Sequence, residues 1–211
     1  KSFSSERGIL RYADIDHYAY KASVEISPTS VWDVFVDPFT SKIITATSLV
    51  MQQSTPSSGE DLLGNQRSFR SFKDGESYLL VDDVSESTQI RIATYPGNSE
   101  GIYPYVSSSQ PNSGWDPAGV SAFVNAELSY KYFSETHGRN SFDNKGANLV
   151  AIVNYEQEQG TCFDNAFWNG TIMVYGTGCQ APFRNFAAAT DVAVHEFTHG
   201  VVQHASGLRY S

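Results

Sequence analysis

The first fifty residues alternate between apolar and polar side chains with the period of two that is typical of β-strands. The alternation is regular over residues 17–26 and predicts a half-buried strand. A second strand is predicted at 31–36, and apolar pairs at 43–44 and 49–50 follow a turn at 37–41. We therefore expect a short antiparallel meander at the start of the chain.

Residues 54–59 interrupt this pattern with serine, threonine, proline and glycine. Such a composition is typical of a flexible, protease-accessible linker. We place a domain boundary there, so that residues 1–53 and residues 54–211 are expected to form separate parts of the protein.

A second β-rich run follows the boundary, with strands predicted at residues 66–72, 78–81 and 90–95. An Asp-Gly pair at residues 74–75 indicates a hairpin between the first two of these strands. Residues 96–116 are rich in Ser, Pro, Gly and Asn, and we expect a long loop there.

A helix is predicted after this loop, with Asp116 as N-cap, Pro117 in the first turn and Gly138 at the stop. Apolar residues recur at helical spacing and are expected to face the core: Val120, Phe123, Val124, Leu128 and Phe133. His137 falls in the last turn, where it is expected to be a helix-end residue and not a metal ligand.

The last third of the chain predicts two more strands and a second helix. Residues 149–155 indicate a buried strand, and residues 171–176 indicate an edge strand that leads to a helix at 187–203. An edge strand beside a reactive site could hold an extended peptide by backbone pairing. Phe167 and Trp168 precede it, and packing in the core is their alternative role.

Composition and charge favour a globular protein and argue against some classes of partner. The 211 residues are 40% hydrophobic and 13% aromatic, which is typical of a globular chain. The formal net charge of −9 argues against a nucleic acid or an anionic membrane as partner, and it is compatible with calcium binding or with simple solubility. No apolar run approaches the roughly 20 residues needed to span a bilayer. No signal peptide begins at Lys1, so a secreted protein is expected to have a leader that precedes it.

The chain has two cysteines, Cys162 and Cys179, which flank the last predicted hairpin. A disulfide that closes the hairpin is favoured if the protein matures in an oxidising compartment. Two reduced thiols remain the alternative at this stage.

The strongest chemical signal is the H-E-x-x-H pattern formed by His195, Glu196 and His199. Residues four apart on a helix lie one turn from each other on the same side, where one metal ion can bind both imidazoles. Glu196 projects from an adjacent stripe and can take a proton from metal-bound water. A lone histidine on a helix is more often a packed or surface residue. Here Asp191 in the first turn and Gly207 as a stop support a helix, and the pattern predicts zinc-assisted hydrolysis of a peptide bond.

Several stretches together resemble the thermolysin family of zinc endopeptidases. The resemblance covers roughly residues 60–211 and rests on residues 115–117, 165–171, 173–176, 195–199 and 205–210. It implies an α+β fold, namely the antiparallel β-rich amino-terminal lobe of such an enzyme with a long helix and the zinc-site helix.

Residues 32–40 resemble a different part of the same precursors, the last strands of the family's pro-region. The resemblance implies that residues 1–53 are the end of a propeptide and that residues 54–211 are the amino-terminal half of the catalytic domain. The partners implied are protein or peptide substrates and the protein's own propeptide, in a secreted zymogen, with neither nucleic acid nor membrane.

The resemblance also implies roles for single residues in catalysis. His195 and His199 would ligate zinc, and Glu196 would be the general base that activates the bound water and passes the proton to the leaving nitrogen. Tyr210 matches a tyrosine that donates a hydrogen bond to the oxyanion.

Substrate and calcium ligands are implied in the same way. Asn165 and Ala166 match the residues that hold the substrate backbone. Asp191 matches a structural calcium ligand, and a helix-start carboxylate without a metal is the alternative. The loop at 96–116 lacks the acidic cluster that some members use for a further calcium ion.

The family's third zinc ligand, a Glu on a later helix, is expected past Ser211. Residues 1–211 alone are therefore expected to hold zinc weakly and to show little peptidase activity. The leading hypothesis is the precursor of a zinc-dependent endopeptidase that cleaves on the amino side of apolar residues. The alternative is a non-catalytic module, a pro-region with a half-domain, that binds or inhibits a partner. The residues that follow Ser211 in the native protein would discriminate between the two.

Overall fold

The computed structural model describes residues 5–12, 15–27, 30–48, 54–97, 103–157, 160–179 and 185–206. The chain separates into two compact units, Lys1–Gln53 and Ser54–Ser211.

The first unit is a four-stranded antiparallel sheet in the order β1-β2-β3-β4. Its strands are β1 (Ser5–Tyr12), β2 (Ile15–Ser27), β3 (Ser30–Val36) and β4 (Ile43–Ser48). The strands predicted at 17–26, 31–36 and 43–44 are confirmed, whereas the pair at 49–50 lies outside the described residues. The prediction lacked β1, because its charged residues and its glycine hide the alternation; the strand is set by pairing with β2 from Ser5↔Ala22 to Tyr12↔Ile15.

The predicted linker at residues 54–59 is wrong. These residues belong to strand β5 (Ser54–Glu60), which pairs antiparallel with β6 (Gln66–Asp74). β5 is the last strand of its sheet, and an edge strand tolerates Pro56 because one side of it needs no donor for the ladder.

Close packing explains why this strand has such small side chains. The buried Oγ atoms of Ser57 and Ser71 lie 2.7 Å apart, so the two hydroxyls satisfy each other. A Cβ atom at Gly59 would lie 3.1 Å from atoms of Trp115 and of Val120. Larger residues would therefore push β5 away from the long helix, and here small residues indicate tight packing instead of flexibility.

The second sheet is antiparallel and has the order β10-β7-β6-β5, with β7 at Ser77–Leu79 and β10 at Ser107–Ser108. The predicted hairpin is confirmed, since Asp74 pairs with Ser77 and Gly75 has a φ of 57°. Most of residues 103–116 outside β10 is irregular, as the composition predicts.

The third sheet has the order β12-β13-β11-β9-β8. Its strands are β8 (Val81–Asp83), β9 (Gln89–Thr94), β11 (Leu149–Tyr155), β12 (Ala166–Trp168) and β13 (Met173–Gly176). The three central strands run parallel, and the two outer strands are antiparallel to their neighbours. The predicted buried strand at 149–155 is confirmed, as Leu149, Ala151 and Val153 in β11 are inaccessible to solvent.

The edge strand was predicted at the wrong residues. The predicted strand at 171–176 forms β13 from Met173 onwards, but β13 lies inside the sheet, and β12 is the edge. Ala166 pairs with Tyr175 and Trp168 pairs with Met173. The short β12 therefore occupies the side of β13 that was expected to be unpaired. The surface available for pairing with a further strand is therefore that of residues 166–168.

Helix α1 (Pro117–His137) begins and ends as predicted. Asp116 Oδ1 accepts a hydrogen bond from the backbone nitrogen of Ala118 at 2.9 Å, and Gly138 has the left-handed φ of 62° that a helix stop favours. Val120 and Phe123 are buried as expected, but Leu128 is 48% exposed, so its place in the predicted apolar face is wrong.

Helix α2 (Thr190–Ser206) starts three residues later than predicted. Residues 186–188 form a separate 3₁₀ turn, Phe186–Ala188, because the side chain of Asn185 accepts a hydrogen bond from the backbone nitrogen of Ala187 at 3.1 Å and caps that turn. The predicted stop at Gly207 lies outside the described residues.

The core of the second unit lies between the third sheet and the two helices. Its fully buried side chains come from both layers: Leu80, Ile90, Ile92, Val120, Phe123, Leu149, Met173, Tyr175 and Phe197. The three sheets and two α-helices in the described ranges make the fold α+β, as predicted. No helix in the described part of the chain has the length and the apolar character that crossing a membrane requires.

One buried carboxylate joins the two sheets of this unit. Asp82 in β8 accepts a hydrogen bond at 2.5 Å from the hydroxyl of Ser54 in β5, and Ser54 in turn accepts one at 2.6 Å from Arg70 Nε. Burial raises the pKa of Asp82, and the Ser54 hydrogen bond and the charge of Arg70 offset this only in part.

The raised pKa of Asp82 predicts a pH-dependent gain from Asp82→Asn. A carboxyl whose pKa is higher in the folded state stabilises the fold below its unfolded pKa of about 3.9, and this stability is lost as the pH rises through the folded pKa. We expect the asparagine variant, which keeps an acceptor for Ser54, to raise the melting temperature at pH 7 by on the order of 2 °C. Thermal melts at pH 7 and at pH 3 check this, since the gain should vanish at pH 3.

Candidate metal centre

The two histidines of α2 converge on one point. The Nε2 atoms of His195 and His199 lie 3.0 Å apart, and their ring centroids lie 4.6 Å apart with an interplanar angle of 87°. The ligand atoms of His195, Glu196 and His199 all lie within 4.8 Å of one another, the one such group of three or more in the described residues. Helical spacing has placed the side chains as the sequence predicts.

This arrangement fits a zinc ion. Zinc binds imidazole nitrogen at about 2.0–2.1 Å, so two nitrogen ligands of one ion are separated by roughly 3.3 Å in a tetrahedral site. The observed Nε2–Nε2 distance of 3.0 Å is close to that separation. Imidazole nitrogen is also a donor that zinc favours, and the histidines are not withdrawn into the core, since His195 is exposed and His199 is half-buried.

Glu196 differs from the histidines in its burial. It is 6% exposed, although it follows His195 directly in the sequence. The inaccessible Tyr175 of β13 lies near enough for the Glu196 charge to act on it: burial first, and then the negative charge of Glu196, raise the pKa of Tyr175. The carboxylate therefore has protein on one side and the histidines on the other, which limits its conformations.

The inner face of α2 packs on aromatic residues. The rings of Phe197 and Phe133 lie 5.1 Å apart, which joins α2 to α1. A Cβ atom at Gly200 would lie 3.1 Å from Cβ of Phe142 and 3.2 Å from the ring of Trp168. The absence of a side chain at Gly200 lets the histidine-bearing helix approach both residues closely.

A buried amide fixes the start of α2. Asn125 Nδ2, in the middle of α1, donates to the carbonyl of Ala187 at 3.0 Å, and its Oδ1 accepts from Thr190 Oγ1 at 2.7 Å. The sequence does not predict this role for Asn125, because a polar residue in a helix ordinarily faces solvent. The polar interruption of an apolar face at Asn125 and Ser129 is the signal that could have indicated it.

A second amide network supports the same region. Asn154 at the end of β11 has a φ of 57° and donates from Nδ2 to Asp116 Oδ2 at 2.6 Å. Its Oδ1 accepts from Asn185 Nδ2 at 3.0 Å. The N-cap of α1, the central strand and the turn before α2 are thus joined by side-chain hydrogen bonds that the sequence does not predict.

A cleft of about 660 Å³ lies between α2 and the segment that contains edge strand β12. It is lined by Asn165, Ala166, Phe167, Trp168, Asn169, Gly170, His195, Glu196, His199 and Gln203. Asn165 and Ala166 also line an adjoining pocket of about 450 Å³, with His195, Glu196 and Asp191. The structure therefore brings the residues predicted from the H-E-x-x-H pattern and those predicted for substrate binding to one cleft.

One wall of the cleft is held by Gln203, one turn after His199. Trp168 Nε1 donates to Gln203 Oε1 at 2.9 Å, and Gln203 Nε2 donates to the carbonyl of Gly170 at 3.3 Å. Trp168 also packs edge-on against Phe142, at 4.9 Å between ring centroids. Trp168 thus both lines the cleft and joins the core, and its two proposed roles do not exclude each other.

Comparison with known proteins identifies the family. Residues 56–203 match the family described as the thermolysin metallopeptidase catalytic domain. The chain belongs to this family. The predicted resemblance is confirmed, and the metal-binding group of α2 lies within the matched region.

Curated relatives of this thermolysin-family chain are longer proteins. It is 33% identical over 180 residues to a bacillolysin of Brevibacillus brevis, covering 85% of this chain and 32% of that protein. It is 35% identical over 198 residues to a bacillolysin of Bacillus subtilis (strain 168), covering 89% of this chain and 36% of that protein. It is 29% identical over 199 residues to an extracellular elastase of Staphylococcus epidermidis (strain ATCC 12228 / FDA PCI 1200), covering 90% and 39%. The chain spans about a third of the length of these relatives.

A solved structure is similar as well. The precursor of protealysin, a metalloproteinase from Serratia proteamaculans, is 34% identical, with a TM-score of 0.50 over 57% of this chain and 36% of that chain. The agreement supports the α+β thermolysin-like fold.

Asp191, which is predicted to bind calcium, stands apart from the metal group. Asp191 is exposed in the first turn of α2 and lines the adjoining pocket, but within the described ranges it is not part of a metal-binding group of three. Its role as a calcium ligand stays a prediction. Tyr210 lies outside the described residues.

The two cysteines of this family member form a disulfide. Cys162 and Cys179 are joined by an S–S bond of 2.04 Å, with their Cα atoms 5.0 Å apart. Of the two alternatives left open by the sequence, the structure has the disulfide.

Proposed function

We propose that the chain is part of the precursor of a zinc-dependent endopeptidase. Residues 1–53 would be the end of the propeptide, and residues 54–211 the amino-terminal half of the catalytic domain. The family match, which starts at residue 56, and the similarity to a metalloproteinase precursor support this division. The observation that carries the proposal is the pair of Nε2 atoms 3.0 Å apart in a cleft, with the buried carboxylate of Glu196 beside them.

His195 and His199 would hold the zinc ion through their Nε2 atoms. When bound, zinc would polarise water and the scissile carbonyl, which favours hydrolysis at neutral pH. A third protein ligand is needed for a catalytic site that retains zinc tightly, and we propose that it is the glutamate that the family resemblance implies past Ser211.

Glu196 would act as the general base. Its carboxylate would accept a proton from the attacking water and then pass this proton to the nitrogen of the leaving amine. Its neighbours suit this role, because burial against the core restricts the carboxylate while the side towards the histidines faces the cleft. Tyr210 would donate a hydrogen bond to the oxyanion as the carbonyl carbon becomes tetrahedral.

The substrate would be a protein or peptide in an extended conformation. β12 is the edge of its sheet in the described part of the chain, and Asn165 and Ala166 lie where β12 begins, next to His195 and Glu196. A peptide paired with this edge would pass in front of the histidines. We propose that Asn165 binds the substrate backbone through its side chain and Ala166 through its carbonyl.

Calcium binding at Asp191 and secretion complete the proposal. The disulfide supports an oxidising compartment, since such bonds rarely persist in the cytosol. The alternative, a non-catalytic module that binds or inhibits a partner, is not favoured, because it gives no reason for a pair of convergent histidines in a cleft.

The test is zinc retention in His199→Ala, made in the protein encoded by the complete reading frame. We expect this variant to lose most of its zinc and to cleave casein at less than about 1% of the wild-type rate, since one imidazole cannot replace two. His204→Ala is the matched control, because His204 lies on the same helix but does not line the cleft. Zinc content by mass spectrometry and casein cleavage give the readouts. A wild-type protein without peptidase activity, or a His199→Ala variant with full zinc and activity, would overturn the proposal.

A further inference from the structure

The disulfide lies at the base of the hairpin that carries the edge strand. Cys162 precedes β12 and Cys179 follows β13, so the bond closes a loop that contains both strands. Both cysteines are exposed. The bond therefore contributes little to the hydrophobic core. Its main effect is to join the segment before β12 to the segment after β13.

The ladder between the two strands is short. Within the hairpin, β12 pairs with β13 through residues 166–168 alone, and three paired residues make a weak unit without further support. Towards the disulfide the pairing becomes irregular: Gly176 N donates to Asn165 O at 2.9 Å and Gly178 N donates to Phe163 O at 3.1 Å. Cys179 N donates to the side chain of Asp164.

The two ends of the edge strand are held in different ways. At its far end, Trp168 is bound to Gln203 of the site helix. At its near end, where Asn165 lies, the hairpin is closed by the disulfide three residues away. Asn165 is itself exposed, so packing does not fix its position as it fixes that of Trp168.

We propose that the Cys162–Cys179 disulfide is a positioning element for the peptide substrate. It keeps Asn165 and Ala166 in the wall of the cleft, at the place where an extended peptide pairs with the edge strand. The inference rests on the proposed peptidase function. It assigns to the disulfide an effect on substrate binding, and none on the metal or on the proton transfer by Glu196, because these depend on α2.

The test is the double variant Cys162→Ala/Cys179→Ala in the zinc-loaded protein from the complete reading frame. We expect KM for a peptide substrate to rise about fivefold to tenfold, with kcat within about twofold of the wild type and with an unchanged zinc content. Hydrogen exchange should become faster at the amides of Gly176 and Gly178, which bond across the base of the hairpin.

A matched control separates positioning from a general loss of stability. Asp61 holds the turn between β5 and β6, where its Oδ1 accepts hydrogen bonds of 2.9 Å from the backbone nitrogens of Leu63 and Asn65. Asp61→Asn should lower the melting temperature but leave KM unchanged, since this turn does not line the cleft. A similar rise in KM in Asp61→Asn would overturn the inference.

A second measurement applies if the double variant does not fold. The folded wild type is reduced with a trialkylphosphine, which becomes the phosphine oxide by taking oxygen from water, while the disulfide gains two electrons and two protons and forms two thiols. After alkylation, removal of the reagent and restoration of zinc, KM should rise as in the variant. An unchanged KM, or a fall in kcat at constant KM, would overturn the inference. A wild type that cleaves no peptide would instead overturn the proposed function.

Discussion

Replacing Glu196 by glutamine is expected to lower kcat/KM for peptide cleavage by about 10³-fold while the zinc content stays at that of the wild type. The amide has nearly the same shape as the carboxylate but cannot accept a proton from water at neutral pH. Zinc should stay bound, because the two Nε2 atoms that would ligate it belong to His195 and His199, and these rings keep their place on α2.

The measurements are steady-state kinetics on a peptide and zinc analysis of the same preparation, with the protein from the complete reading frame. Glu127→Gln is the control: it removes an acidic side chain from α1, where Glu127 pairs with Lys131 at 2.8 Å and does not line the cleft. We expect no change in activity from it. Loss of zinc from Glu196→Gln would contradict the role of a base that is not a ligand, and retained activity would contradict the role of a base.

Local rules suffice to predict the convergence of the site histidines and the two ends of α1. The histidine positions in H-E-x-x-H are set by helical spacing alone, so their convergence follows from four residues of separation. The ends of α1 follow from the side chain of Asp116 and the left-handed conformation of Gly138, which act within a few residues of themselves.

Contacts between distant parts of the chain could not be predicted in this way. Asn125 acts through bonds to Ala187 and Thr190, more than sixty residues away, and a polar residue in a helix predicts solvent exposure when only its neighbours are considered. The opposite error concerns Leu128, which was expected to be buried and is exposed. Both errors arise because the buried face of α1 is mixed and includes polar residues such as Asn125.

Two errors concerning strands have one physical cause. The small residues at 54–59 predict a flexible linker, although Gly59 and Ser57 allow close packing of β5. The sequence also predicts an edge strand at 171–176, although the three residues of β12 pair with that strand and form the edge of the third sheet. Strand order and packing distance depend on the partner strand or helix, and a single segment does not contain that information.

Gly176→Ala is expected to be the most destabilising small substitution near the cleft. A Cβ atom at residue 176 would lie 2.1 Å from the carbonyl oxygen of Phe163 and 2.7 Å from that of Asn165. These are backbone atoms, which cannot rotate away as a side chain can, so the hairpin must open. We expect a loss of about 3 kcal/mol, and with it a fall in melting temperature of roughly 6–12 °C.

The same substitution should also weaken substrate binding, because the bond from Gly176 N to Asn165 O is lost when the hairpin opens and Asn165 then moves relative to His195. Thermal melts and KM for a peptide measure the two effects. Gly160→Asn is the control in the same part of the chain: a Cβ atom there meets nothing within 4 Å, and asparagine tolerates the φ of 79°. If Gly176→Ala melts no lower than this control, then the close approach of Phe163 to β13 does not constrain the protein in solution, and the edge strand is less firmly placed than its contacts indicate.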